Sequence, residues 1–296
     1  MSRGRVAGAL CAGLLVLVAA AWQAPAPAQV PGASAPPPAT RDARVVFPSS
    51  VQQGALVIGR VPPGARVRHG ERVLRATPYG SVVFGVGRDV TGPELVVVEL
   101  DGGRTQTVAI QVTPRDWPLE QVRGVPPGTV DPPPAIAERI RREQAQVTAA
   151  RTRDDDRADF AQPFIWPVKG RISGRFGNAR VYTSTDGRRQ AGSGHSGMDI
   201  AAPTGTPVLA PAAGVVTFAA PGLYLTGGTL LLDHGHGVSS NFLHLSRIDV
   251  AVGDRVLQGQ PIAAVGATGR ATGPHLHWGM NWFDVRVDPL LVLERR

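Results

Sequence analysis

Cysteine is almost missing from this chain: Cys11 is the only one in 296 residues, and it sits inside an apolar run near the amino terminus. Once that run is removed no thiol remains, which excludes disulfides and Cys-type metal sites, so any metal must be held by histidine and carboxylate. Lysine is equally scarce. Lys169 is the only one, so the net charge of +8 is carried almost wholly by arginine. A basic surface of this kind attracts polyanions such as nucleic acid, anionic lipid or the polymers of a cell envelope. Aromatic residues make up only 5% of the chain and are not interleaved with the arginines as a base-stacking platform, which argues for envelope polymers over nucleic acid. No Glu stands in a His-Glu-x-x-His arrangement, so a helix-borne carboxylate base next to a zinc site is excluded as well.

What the chain has in quantity is glycine, 36 residues, and proline, 27, alongside an ordinary apolar content of 43%. That balance favours short strands and turns over long helices and predicts a mainly β protein. Arg3 and Arg5 precede an apolar run from about Val6 to Trp22, followed by Ala24-Pro-Ala-Pro-Ala28. Charged, apolar and small-residue regions in that order predict a signal peptide over residues 1–28, and hence export to the periplasm or cell envelope. The run is slightly short for a membrane anchor, so no stable span is expected after cleavage. Leu10 stands before Cys11 where a lipoprotein signal needs a small residue, so lipidation is not expected.

Residues 29–44 are rich in Pro and Ala and read as a tether. Over 45–113, runs such as Ala55-Leu-Val-Ile58, Ser81-Val-Val-Phe84 and Leu95-Val-Val-Val-Glu-Leu100 are bounded by Gly, Pro or Asp-Gly turns, predicting a small β-sandwich of Ig-like size. Residues 114–160 read as a Pro-rich and helical linker, with a helix over Ala135 to Ala150 and a solvated charged stretch from Arg151 to Arg157. Short apolar runs and glycine turns return over 161–296. Within them Gly205-Thr-Pro-Val-Leu and Gly253-Asp-Arg-Val-Leu echo one another, suggesting two similar hairpins in one β core.

Six of the seven histidines fall between residues 195 and 277: His195, His234, His236, His244, His275 and His277. Clusters of imidazole with an aspartate point to a metal site. In His195-Ser-Gly-Met-Asp199, a nitrogen and an oxygen ligand can turn toward one point if Asp199 lies in a strand entered near His195. In Gly273-Pro-His-Leu-His-Trp278, His275 and His277 flank Leu276, and residues two apart in a strand share a face. One imidazole can then hold the metal while the other addresses water or substrate.

Together with Leu232-Asp-His-Gly-His-Gly237, Phe242-Leu-His-Leu245, Gly253-Asp-Arg-Val-Leu-Gln-Gly-Gln260 and Thr268-Gly-Arg-Ala-Thr-Gly-Pro-His-Leu-His-Trp278, these segments resemble the lysostaphin/LytM-type zinc metalloendopeptidases. The resemblance covers about Phe164 to Leu293. It implies a compact antiparallel β-sheet peptidase domain of the duplicated-hybrid-motif type over 161–296. It implies one Zn2+ per chain, held by His195, Asp199 and His277, with His244 and His275 as catalytic histidines that do not bind metal. Three protein ligands are the pattern of a catalytic zinc, with one position open. The implied substrate is the stem peptide of bacterial peptidoglycan, cut at the D-alanyl to meso-diaminopimelate bond. A catalytically silent relative, serving as activator of a cell-wall amidase, is the alternative, and the complete set of five residues favours the enzyme. Phe242 departs from the family, which often has tyrosine there. His234 matches a family histidine that is not a ligand, and His236 is expected at the surface.

Overall fold

The computed structural model describes residues 44–294, so the expected signal peptide and nearly all of the expected tether lie outside the described residues. The fold is mainly β. Near the amino terminus, β-branched runs form a five-stranded sheet in the order Ser50–Gln52, Thr105–Thr113, Glu94–Glu99, Arg66–His69, Arg72–Leu74, beside a ribbon of Leu56–Arg60 with Ser81–Gly85. Strict alternation explains the packing. In Glu94–Glu99, Val96 and Val98 are fully buried while Leu95 is exposed, as expected where one sheet face meets a core and the other meets water. Phe84 is fully buried, stacks on His69 at 4.1 Å, and meets the edge of Trp282 at 6.4 Å. A single apolar core therefore runs from these strands into the carboxyl-terminal sheet.

The segment read as a Pro-rich linker contains a strand instead. Leu119–Val125 pairs in parallel with Ala179–Ser184, which pairs antiparallel with Arg189–Gly192. The helix is present at Pro134–Ala150, with proline in its first turn, where the missing N–H costs nothing. No helix residue is fully buried; Ile136, Ile140, Glu143 and Val147 form its half-buried face. It is tied down by Arg139 donating to the Gly222 carbonyl (3.0 Å) and by the Tyr224 amide donating to Glu143 (2.8 Å).

The charged stretch after the helix is not simply solvated. Arg157 pairs with Asp233, Asp155 and Asp159, and Arg75 pairs with Asp154. Asp233 is almost fully buried, and a buried carboxylate needs a cation. Arg157 supplies it.

The carboxyl-terminal sheet runs in the order Arg255–Val256, Gly214–Leu223, Gly227–Asp233, Val238–Leu245, His275–Trp282, Met198–Ala201, Arg171–Gly174, with Val285–Val287 also paired to His275–Trp282. These pairings are antiparallel. A smaller sheet joins Pro207–Leu209, Pro261–Ala264 and Arg247–Ile248. The echo at Gly205 and Gly253 has a structural counterpart, but not as two hairpins. Each opening strand pairs with the strand that follows the other: Pro207–Leu209 with Pro261–Ala264, and Arg255–Val256 with Gly214–Leu223. Backbone bonds repeat the exchange: Gly205 donates to Val265 and Gly253 to Val216, while Val265 donates to Thr206 and Val216 to Asp254. Both glycines have positive φ, +89° and +98°, which a residue with a Cβ rarely adopts. Among the described residues, no helix is long and apolar enough to cross a membrane.

Candidate metal centre

His195, Asp199 and His277 come together as the sequence predicted. Asp199 lies in Met198–Ala201, directly across the ladder from His277 in His275–Trp282. His195 stands just before that strand, fixed by its own amide donating to Asn178 and its carbonyl accepting from Gly177. Asp199 Oδ1 is 2.9 Å from His277 Nδ1 and 3.2 Å from His195 Nε2, and the two nitrogens are 3.0 Å apart. All three residues are buried.

These contacts cannot all be hydrogen bonds. His195 Nδ1 lies 2.9 Å from the Arg175 carbonyl, which only accepts, so Nδ1 carries a proton and Nε2 is the nitrogen turned to the centre. That nitrogen faces a carboxylate oxygen and a second imidazole. Three electron-rich atoms converge on one point, an arrangement that a cation resolves. Their spacing is close to the edge of about 3.4 Å that a tetrahedron with metal–ligand distances of about 2.1 Å requires. The donor set, two nitrogens and a carboxylate oxygen, suits zinc.

The charge states agree. Burial would raise the Asp199 carboxyl, but hydrogen bonds and attraction from His195 and His277 outweigh it and hold the group well below the usual carboxylate range. Burial pushes His277 down to about 3 despite the opposing pull of Asp199, leaving a neutral ligand beside an ionised one. Asp199 Oδ2 is taken by Arg180 at 2.7 Å, and Arg180 Nε in turn donates to Glu120 at 3.0 Å. Gly174 is required here, because a Cβ at that position would come within 2.5 Å of Asp199 Oδ2 and 2.3 Å of the Arg180 guanidinium. Sequence reasoning missed Arg180 and Glu120. The strand holding Glu120 joins the site only through parallel pairing across about sixty residues, for which no local pattern exists.

His244 and His275 stand beside the triad, with ring centres 4.8 Å apart. Each donates Nδ1–H to a carbonyl, Thr268 for His244 and Gly273 for His275, both at 2.8 Å. The second nitrogen of each ring is thereby left free of the backbone, and His275 Nε2 lies 3.8 Å from Asp199 Oδ1. Burial, then the neighbouring His275, lowers His244 to about 4. His244 sits at φ +63°, a left-handed conformation uncommon for histidine. Its amide is secured by the Thr226 carbonyl at 2.8 Å. Local strain of this kind, of order 1–3 kcal/mol, persists where surrounding structure enforces it and is frequent at functional sites.

The other two histidines stay outside the centre. His234 is fully buried; its Nδ1 donates to Ala213, while Trp278 Nε1 donates to Ser240 Oγ and that hydroxyl donates to His234 Nε2. His236, expected at the surface, is buried instead, with Nδ1 donating to the Arg75 carbonyl at 3.0 Å and its ring against Phe160. Its φ of +50° turns the chain so that the ring meets the amino-terminal strands. Phe242 is fully buried, so its side chain belongs to the core.

The triad opens into a groove of about 1680 Å³. Its walls include Arg88 and Val90 from the turn after Ser81–Gly85, Ile140 and Val147 from the long helix, and Tyr182 and Arg270, whose guanidinium lies over the tyrosine ring.

The model of "Peptidase family M23" matches residues 193–289, which include all five site residues. The chain is 32% identical over 172 residues to the cell division protein DipM of Caulobacter vibrioides, a match covering 56% of this chain and 26% of DipM. It is 42% identical over 115 residues to the peptidoglycan DD-endopeptidase ShyA of Vibrio cholerae, covering 38% of this chain and 26% of ShyA. The chain thus spans about a quarter of the length of these curated relatives. A crystal structure from Pseudomonas aeruginosa, described as a peptidase M23, is similar over 81% of this chain and 94% of that one, with TM-score 0.59 and 30% identity.

Proposed function

The chain belongs to peptidase family M23, and from that premise we propose that it is a zinc-dependent endopeptidase that hydrolyses peptide cross-links of bacterial peptidoglycan at the D-alanyl to meso-diaminopimelate bond, in the periplasm or cell envelope. The observation that carries this reading is the convergence of His195 Nε2, Asp199 Oδ1 and His277 Nδ1 beside two further imidazoles, each held to a backbone carbonyl through Nδ1. The relative ShyA, named as a peptidoglycan DD-endopeptidase, supports the substrate class.

His195, Asp199 and His277 would hold the zinc, which would supply the Lewis acidity that polarises a peptide carbonyl and makes water a stronger acid. Arg180 keeps the Asp199 carboxylate oriented, so that one oxygen faces the centre while the other is occupied. His244 and His275 perform the proton work that a glutamate does in other zinc peptidases. Because both rings spend their Nδ1 proton on a backbone carbonyl, both enter the reaction as proton acceptors at Nε2. One accepts a proton from the attacking water, and the imidazolium so formed returns it to the leaving amine. His275, nearer Asp199 and less buried, is assigned the first transfer; passed on to His244, whose ring centre lies 4.8 Å away, that same proton lets His244 stabilise the developing oxyanion and is then given to the leaving amine.

The test is zinc analysis of the full chain, together with chromatography of muropeptides from purified sacculi treated with wild type and with His275→Ala. The expected result is one zinc in both proteins and loss of cross-linked dimers only with wild type. Zinc without cleavage in either protein would instead favour the second reading, a regulator of another wall hydrolase. That reading draws on the match to DipM, which covers more of the chain than the match to ShyA.

A further inference from the structure

The face of His275–Trp282 that carries His275 and His277 continues through Gly279 to Asn281, since alternate residues of a strand share a face. Asn241 lies beside Asn281, with Asn241 Nδ2 3.4 Å from Asn281 Oδ1, and both are buried. From Val285–Val287, the strand paired alongside, Arg286 donates to the same Asn281 Oδ1 at 3.0 Å. Asn281 stands four positions beyond His277, about 13 Å along the strand at about 3.3 Å per residue, and Arg286, bonded to it, lines the groove.

Arg151 lines the same groove from the end of the long helix. Its Nε is buried with no hydrogen-bond partner, and among the described residues its guanidinium donates to no protein acceptor. The obvious structural partner is the helix carboxyl end, whose carbonyls attract cations; yet the bonds made there come from the Arg151 backbone amide, to Ala149 and Thr148, and not from its side chain. Neither Arg151 nor Arg286 forms an ion pair among the described residues, whereas two other arginines of the groove do: Arg180 with Glu120 and Asp199, and Arg88 with Asp89. Burial, and next the like charge of Arg286, push the Arg151 guanidinium down to about 9. Arginine nonetheless keeps its proton at neutral pH, so two half-buried cations repel one another with no anion between them.

We propose that Arg151 and Arg286 form a carboxylate-binding subsite of the groove, which takes a free carboxylate of the peptide substrate about four residues from the bond that is cut. This assignment rests on the peptidase reading. Two guanidinium groups offer planar, forked donors matched to a carboxylate, and charge-assisted hydrogen bonds in a partly desolvated site are the strong ones. The subsite sets both register and preference: a substrate without that carboxylate leaves two buried cations unpaired.

The experiment compares two synthetic cross-linked stem peptides of identical sequence, one with free carboxylates and one with those carboxylates amidated. Binding to the zinc-loaded full chain is measured by calorimetry in the His275→Ala background, which prevents turnover. The free-carboxylate peptide is expected to bind about tenfold or more tightly. Arg286→Gln and Arg151→Gln are each expected to erase most of that difference, and Arg286→Lys to retain part of it, with zinc content unchanged throughout. Equal affinity for the two peptides, including binding of neither, overturns the subsite, as does discrimination that survives both glutamine variants. Failure of the wild type to cut sacculi would overturn the peptidase reading separately, because the binding comparison does not depend on turnover. If Arg286→Gln fails to fold, Arg151→Gln, which follows the long helix and leaves every strand unchanged, carries the same comparison.

Discussion

The amino-terminal strands and the carboxyl-terminal sheet are built from the same β-branched vocabulary but keep different things dry. In the first, the buried side chains are almost all apolar: Val57, Val67, Val82, Phe84, Val96, Val98 and Ile110. In the second, Thr229, Asp233, His234, Ser240, Asn241, His277 and Asn281 are buried along with the leucines, tryptophans and valines. Burying polar groups costs free energy unless each finds a partner. The carboxyl-terminal sheet meets that cost with designated acceptors, as in the chain from Trp278 through Ser240 and His234 to Ala213. A sheet that only has to pack can be apolar inside; one that has to do chemistry holds its polar atoms in fixed directions.

Substitutions separate the two regions. The largest effect is expected from Asp199→Ala, which removes the only carboxylate of the triad and leaves Arg180 with half its partners. Zinc is expected to be lost and cleavage of sacculi to fall by at least about 1000-fold, since the Lewis acid goes with the ligand; metal analysis after dialysis checks it, and full zinc retention would remove Asp199 from the ligand set. Phe84→Ala, by contrast, is expected to lower stability by about 3–5 kcal/mol through lost burial and a cavity, while the folded fraction keeps its zinc. Denaturant melts beside metal analysis read both quantities, and loss of metal without loss of stability would break the distinction.

A third test uses pH. His234 is held at about 4, chiefly by burial, below the 6.5 of an unfolded histidine. Below pH 6.5 the unfolded chain therefore takes up a proton that the folded one refuses, so stability falls as pH drops from about 6.5 toward 4. Between pH 7 and 5 the fall attributable to His234 is expected to be roughly 2 kcal/mol. Melts of wild type and His234→Gln across that range should differ in slope; parallel curves would mean the ring is protonated in the fold. The smallest effect is expected from Leu95→Thr, on the solvent face of the amino-terminal sheet, within about 0.5 kcal/mol.

Within the centre, the pairs His275 with His277 and His195 with Asp199 were legible in the sequence because the geometry inside each pair is local, whereas His244 was named only through the family resemblance. His275 and His277 share a face by the period of a strand, and His195 and Asp199 enter the same turn and strand. The strands around Val57, Phe84 and Val97 were legible for the same reason, through β-branched runs between glycine turns. Leu119–Val125 was not, because parallel pairing with Ala179–Ser184 leaves no mark near either segment. Nor were the ion pairs of Arg157 and Arg180, which depend on where the chain returns rather than on spacing along it. His236 illustrates the limit at a single residue: a histidine between glycines reads as a surface turn, and only the arrival of Arg75 and Phe160 encloses it.

The exchange of strands between the segments at Gly205 and Gly253 bears on the order in which the molecule can assemble. Neither segment contains its own partner. A chain synthesised only as far as residue 252 has the strand Gly214–Leu223 without the neighbour supplied by Arg255–Val256, and Pro207–Leu209 without Pro261–Ala264. His275 and His277 come later still. Closure of the sheet and completion of the His–Asp–His cluster therefore both wait for residues 255–277, and a chain that stops short of them holds His195 and Asp199 without the third member.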